Sequence, residues 1–226
     1  MVIKNNIVKF RDAAATSGAH LIAVSKTHPV EKIKEAYDAG QRIFGENKVQ
    51  ELIEKQPLLP ADIHWHLLGH LQRNKVRYIA PFIALIHSVD SLRLLEEIDK
   101  QAERNHRTID CLLQVYIAKE ETKFGLSPDE LMDLIQSVEF KSLRHVRIVG
   151  LMGIATLTDR EEQIRQEFHS LKVLFEKLKA MNLQGPLHLH ELSMGMSSDF
   201  PIALEEGSTL IRIGTAIFGT RNYSSP

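Results

Sequence analysis

The 226-residue chain contains one cysteine, Cys111, one tryptophan and only 6% aromatic residues. A lone cysteine excludes an intrachain disulfide, which fits a reducing compartment, and a cytoplasmic protein is expected. Charge of one sign is also missing: 28 basic residues face 29 acidic ones, for a formal net charge of -1. No global field then favours nucleic acid or an anionic membrane, and neither is expected as a partner. No run approaches the roughly 18 apolar residues of a spanning helix. The opening stretch MVIKNNIVKFRDAAATSGAH lacks the continuous apolar core of a signal peptide. His64, His66, His70, His188 and His190 are accompanied by no cysteine pair and no H-E-x-x-H, so they read as hydrogen-bonded structural groups and no metal is expected.

What is present is an alternation. Short apolar or β-branched runs at 20–26, 42–46, 64–69, 84–89, 110–117, 147–154, 187–195 and 209–214 predict eight strands. Amphipathic stretches near 30–39, 47–55, 72–79, 91–105, 128–138, 159–181 and 199–206 predict the helices between them, after an opening helix over 2–17. In 159–181, Ile164, Phe168, Leu171, Leu174, Phe175 and Leu178 recur at spacings of three and four, which makes one stripe. Ser91, Ser127 and Asp159 stand where N-caps are expected. Repeated strand–helix units argue for a parallel sheet with right-handed crossovers, and eight of them suit closure. The expected fold is α/β: a single-domain TIM-like (β/α)8 barrel over 1–226 with an extra N-terminal helix. The competing open doubly wound sheet is weakened because no G-x-G-x-x-G follows the first strand.

In such barrels the site lies at the carboxyl ends of the strands. The first strand exits at Lys26. An exposed lysine is an unreactive ammonium at neutral pH, but burial or a neighbouring cation frees the amine for Schiff-base chemistry. The bland reading is a solvated lysine. After the seventh strand, SMGMSSD places Ser193, Ser197 and Ser198 beside Gly195, and the eighth runs into Gly214 and Thr215. Small residues let backbone N–H groups approach an anion, and barrels often bind phosphate after strands seven and eight. The same residues also simply mark turns. Arg212 shares strand parity with Leu210 and Gly214. If that face is inward, its charge needs an acceptor: a carboxylate in a structural salt bridge, or a ligand's ring nitrogen or phosphate. A phosphate-bearing aldehyde with a ring nitrogen suits Lys26, Arg212 and the two loops together, and pyridoxal 5'-phosphate has all three parts. Cys111, inside the fifth strand, is expected to be buried and inert. RNKVR (73–77) reads as a solvated helix face. KEETK (119–123) reads as a charged turn in which Lys123 is a secondary candidate for aldehyde contact.

AVSKT (23–27), FGENKVQE (44–51), WHLLGHLQRNKVR (65–77), HSVDS (87–91), GLMGIAT (150–156), LSMGMSSDF (192–200) and GSTLIRIGTAIFG (207–219) together resemble the pyridoxal phosphate homeostasis protein family, the YggS-type proteins. The resemblance implies an alanine-racemase-like barrel of fold type III. It implies pyridoxal 5'-phosphate held as a Schiff base on Lys26. Ser193, Gly195, Ser197, Gly214 and Thr215 match phosphate-loop positions, and Asn47 matches an asparagine near the ring or its hydroxyl. Arg212 matches the arginine facing the pyridine nitrogen, while Met152 and Met194 match apolar lining positions. The implied role is vitamin B6 homeostasis: a buffer or carrier that affects amino-acid and keto-acid balance, without robust turnover. The implied partners are the cofactor and apo forms of enzymes that use it, and a monomer is expected. Tyr116 departs from the family pattern, which has asparagine at that position, and Phe124 is unusual in its stretch.

Two alternatives remain open. One is a fold type III enzyme such as an amino-acid racemase, with Lys26 as one base and Tyr116 or a histidine as the other. No second acid/base motif is evident, and no length after 219 is left for the extra β-domain of alanine racemases. The other is a cofactor-responsive regulator that binds a protein partner.

Overall fold

β-Branched and leucine-rich runs bury both faces when helices cover the outside of a parallel sheet. Here those runs form eight strands: β1 His20–Val24, β2 Ile43–Glu46, β3 His64–Leu67, β4 Leu85–Val89, β5 Ile109–Gln114, β6 Val146–Met152, β7 Leu187–Ser193 and β8 Leu210–Ile213. The computed structural model describes residues 2–119, 124–181 and 183–220. Each strand pairs in parallel with the next, and β8 returns to β1, so the barrel closes. The closing register sets Ile22 against Arg212.

The helices are α1 Val2–Thr16, α2 Val30–Asp38, α3 Val49–Lys55, α4 Val76–Ile79, α5 Leu92–Arg104, α6 Pro128–Gln136, α7 Val138–Ser142, α8 Glu161–Ala180, α9 Phe200–Glu205 and α10 Thr215–Phe218. The extra N-terminal helix is α1, whose Ile3, Ile7, Phe10 and Ala14 form its buried stripe. Its Phe10 ring meets Phe200 edge-on at 5.4 Å.

Two apolar layers hold the barrel. Ile164, Phe168, Leu171, Phe175 and Leu178 of α8 bury against the outer strand faces, with Leu174 half-covered, as their spacing predicts. Inside, Ile22, Leu85, Leu112, Val149, Met152 and Leu210 make a separate plug. Glycine is required where β6 leaves regular register against β7: a Cβ on Gly150 would lie 1.7 Å from the Glu191 carbonyl oxygen.

Helix starts differ in how they are held. Ser127 caps α6 in a full capping box with Glu130. Ser91 stands at the N-cap of α5, but its hydroxyl donates to Asp90 instead of accepting from the helix. Asp159 is not a cap. Arg160 occupies that place and α8 begins at Glu161, so the helix begins without a side-chain cap. The expected helix over 128–138 breaks at Ser137, whose hydroxyl accepts from Phe140 N and starts α7. Cys111 is buried, and burial pushes its thiol pKa up. Among the described residues, no helix is long and apolar enough to cross a membrane.

Candidate functional site

Six of the eight strands end one to three residues before their apolar runs do, while β2 and β4 end with theirs. The residues that leave the ladder surround a cavity of about 480 Å³ at the carboxyl end of the barrel. That size lies within the range of ligand and cofactor sites, roughly 300–1,000 Å³.

Lys26 lines this cavity two residues past β1. Thr27, next to it, is in the left-handed region at φ 66, which is uncommon for a β-branched residue. Asn47 lines the cavity directly after β2. Its backbone lies so close to the β3 exit that a Cβ on Gly69 would be 2.3 Å from the Asn47 carbonyl oxygen. Val24, Leu68 and Met152 supply an apolar wall.

Arg212 points into the barrel, as its parity with buried Leu210 requires. Its guanidinium is at the cavity's inner side, with Nη1 donating to Ser193 Oγ at 2.6 Å and Nη2 donating to the Gly153 carbonyl at 3.0 Å. Neither acceptor is a carboxylate. Burial lowers its pKa to about 10, with Asp199 opposing the shift, so it remains charged at neutral pH.

A buried chain continues from this cation. His87 Nδ1 is 3.0 Å from Ser193 Oγ, and His87 Nε2 is 3.0 Å from His66 Nδ1. Burial, then the neighbouring charges, holds His87 well below the ordinary histidine value, and His66 is lowered to about 3. Both rings are therefore neutral. Arginine can only donate, so the Ser193 hydroxyl accepts from Arg212 and keeps its own proton available to His87 Nδ1. In that arrangement His87 carries its proton on Nε2 and donates to His66.

The loops after β7 and β8 contribute Met196, Ser197, Ser198, Gly214 and Thr215 to the lining. Gly214 is tight against β1: a Cβ there would stand 3.2 Å from the Val24 carbonyl oxygen, in space beside the Lys26 exit. The first amides of α10 have no intrahelical acceptor and are available to an anion. Asn6 Nδ2 and Lys32 Nζ hold the other end of α10 by donating to the Ile217 and Phe218 carbonyls, at 3.2 and 3.0 Å. Asp199 is buried behind the β7 loop and accepts from Met196 N, and burial keeps its carboxyl above the usual range.

Of the residues singled out in the sequence, Lys26, Asn47, Met152, Ser197, Arg212, Gly214 and Thr215 line one cavity. Ser193, Met194 and Gly195 do not. Ser193 and Met194 are fully buried, and Gly195, at φ 88, packs against Phe200 and Ala203 while its carbonyl accepts from Arg212 N. Ser193 belongs to the β7 ladder and faces Arg212, which is why its hydroxyl is not at the loop surface. Tyr116 lies past β5 and is not part of the lining, and Lys123 lies outside the described residues.

Sequence reasoning missed two residues. His28 lines the cavity beside Phe218, with ring centroids 5.2 Å apart, and its signal was its two-residue spacing from Lys26. His87 was visible only as one member of an apolar strand run. Ile154 and the highly exposed Leu157 form an apolar lip.

The donor set fits a phosphorylated ring aldehyde. It offers a lysine amine at the β1 exit, a buried cation on the neighbouring strand β8, an apolar wall, and small residues that leave backbone amides open. The fold and this set of residues define a barrel of the alanine racemase N-terminal class, whose family model matches residues 2–222. A pyridoxal phosphate homeostasis protein of Aquifex aeolicus is 41% identical over 206 residues, which cover 91% of this chain and 88% of that one. The Escherichia coli protein of the same name is 38% identical over 235 residues, covering 98% of each. The chain belongs to the pyridoxal phosphate homeostasis protein family. Two solved structures of PipY from Synechococcus elongatus resemble it closely, covering 96% of this chain and 100% of theirs. The one without PLP has a TM-score of 0.88 at 42% identity, and the one with PLP bound has 0.86 at 41%. Alanine racemase of Clostridium difficile shares the fold alone, with a TM-score of 0.73 at 14% identity, and this chain covers 59% of it.

Proposed function

We propose that the cavity binds pyridoxal 5'-phosphate and that the protein buffers or carries this cofactor in intracellular vitamin B6 homeostasis. The observation that supports it most is the meeting of Lys26, Arg212, Ser197, Gly214 and Thr215 around one cavity of suitable size. When bound, the cofactor supplies an aldehyde able to form a Schiff base with a lysine. Lys26 provides that amine. Arg212 would serve as a donor to the ring nitrogen and keep it unprotonated, which would make the ring a poor electron sink. Ser197, Ser198, Gly214 and Thr215 would hold the phosphate, Asn47 would take the ring or its hydroxyl, and Met152 would supply apolar contact to the ring. Met194 and Gly195 support the loop from behind. Ser193 acts through Arg212 and not on phosphate.

In this reading, residues 1–226 are one cofactor-binding barrel domain, a cytoplasmic monomer without robust turnover. It hands pyridoxal phosphate to apo-enzymes and so affects amino-acid and keto-acid balance. Borohydride reduction of the purified protein with added pyridoxal phosphate, followed by peptide mapping, is the test. A pyridoxyl adduct on Lys26, lost in a folded Lys26→Ala variant, is the expected result. An adduct that persists in Lys26→Ala refutes the anchor, and no adduct at all refutes the cofactor. Turnover of amino acids by the loaded protein would instead favour the racemase-type alternative, for which His28, not Tyr116, is the base within reach of the cavity.

A further inference from the structure

Lys55 is a lysine at the end of α3 and is almost entirely buried. Its ammonium spends all three donors: on Glu46 Oε1 at 2.8 Å, on Glu51 Oε2 at 2.9 Å and on the backbone carbonyl of Ser25 at 3.0 Å. Glu46, at the end of β2, is fully buried, and its Oε1 also accepts from Ser25 Oγ at 2.6 Å. Glu51 Oε2 accepts from the backbone N–H of Thr27 at 2.7 Å.

These bonds converge on one short segment. They take the carbonyl of Ser25 and the amide of Thr27, the peptide groups on either side of Lys26. Thr27 is one of two described non-glycine residues with positive φ. Such a conformation costs about 1–3 kcal/mol and persists only where the surroundings over-determine it. The cost is not recovered as plain stability. Glu46 Oε2 has no hydrogen-bond partner among the described residues, and a buried ion pair with an unmatched oxygen gains little over apolar packing.

We propose that Glu46, Glu51 and Lys55 form a buried charged clamp that fixes the backbone on both sides of Lys26 and so aims its amine into the cavity. They are positioning residues. The inference rests on Lys26 being the anchor, but the clamp has a signature of its own in the Thr27 amide.

The test uses the full-length protein and Glu51→Ala, which leaves the Lys55–Glu46 pair in place. Two quantities are measured: hydrogen exchange of the Thr27 amide without cofactor, and the rate at which added pyridoxal phosphate becomes borohydride-fixed on Lys26. Loss of a charged hydrogen bond predicts an approximately tenfold slower fixation, together with loss of Thr27 protection. Glycine adopts positive φ without help, so adding Thr27→Gly to Glu51→Ala is expected to recover the rate to within about threefold. If Lys55→Met fails to fold, Glu46→Gln/Lys55→Met removes both buried charges and is expected to slow fixation in a folded protein. Wild-type fixation with Thr27 still protected in Glu51→Ala overturns the clamp. So does a slowing that Thr27→Gly leaves untouched while melting temperature falls in parallel. If wild-type protein fixes no label on Lys26, the cofactor reading fails instead, and Thr27 exchange alone decides the clamp.

Discussion

Acid should destabilise this protein through its interior histidines. His66 and His87 are buried, neutral and joined to each other, and the folded state holds both below the ordinary value of 6.5, His66 at about 3. The unfolded chain takes up a proton at each as pH falls past 6.5, while the folded chain does not. Stability is therefore complete above that value and is lost progressively below it, down to about 3 for His66. Between pH 7 and pH 5 the loss from His66 alone is roughly 2 kcal/mol, against a typical total of about 5–15 kcal/mol, and His87 adds to it in the same direction. Glu46 and Asp199, both raised by burial, work in the opposite direction: their contribution grows as pH falls toward their raised values. Urea unfolding of wild type and of His66→Gln/His87→Asn at both pH values isolates the histidines, because the carboxylate part is common to both. The variant should lose less than wild type on acidification, by roughly 2 kcal/mol or more. Equal losses would refute the neutral-pair assignment.

Long-range nitrogen–proton correlation of the imidazoles should show bare Nδ1 and protonated Nε2 on both His66 and His87. A protonated His87 Nδ1 would mean that Ser193 does not donate to it. Ser127→Ala removes one half of a complete capping box and should cost about 1 kcal/mol, lowering the melting temperature by roughly 2–4 °C in a calorimetric scan. Gly150→Ala places a methyl group against the Glu191 carbonyl and should leave no soluble folded barrel by circular dichroism; a wild-type melting curve would show that β6 can shift freely there.

The barrel was legible because short apolar runs alternate with amphipathic stretches eight times, even though β7 alternates leucine with exposed histidine at its start. Strand ends were overextended because runs such as HLIAVSK continue past the last ladder bond, and hydrophobicity does not record where the backbone turns away. Lys26 and Arg212 were legible from position and parity. Ser193 was assigned to the phosphate loop from composition, yet its place on β7 turns the hydroxyl to Arg212, an orientation set by register and not by residue type. His87 and Lys55 were invisible for a related reason: one sits in an apolar run and one ends an ordinary amphipathic helix. Apart from Glu51, one helical turn before Lys55, their partners come from other strands and from loops, which local pattern cannot pair.

Closing the barrel joins β1 to β8, so His20 is registered with Leu210, close to two hundred residues along the chain. During synthesis the strand that leads to Lys26 emerges first and waits longest for its neighbour. Its outer edge remains open until β8 is made, and α10, with the amides beside Gly214, follows later still. Contacts of such sequence separation form slowly and late. The cavity is therefore among the last parts of the molecule to be assembled. A nascent or truncated chain can carry Lys26 without Arg212 on the neighbouring strand, so under the proposed function cofactor retention would report a finished barrel.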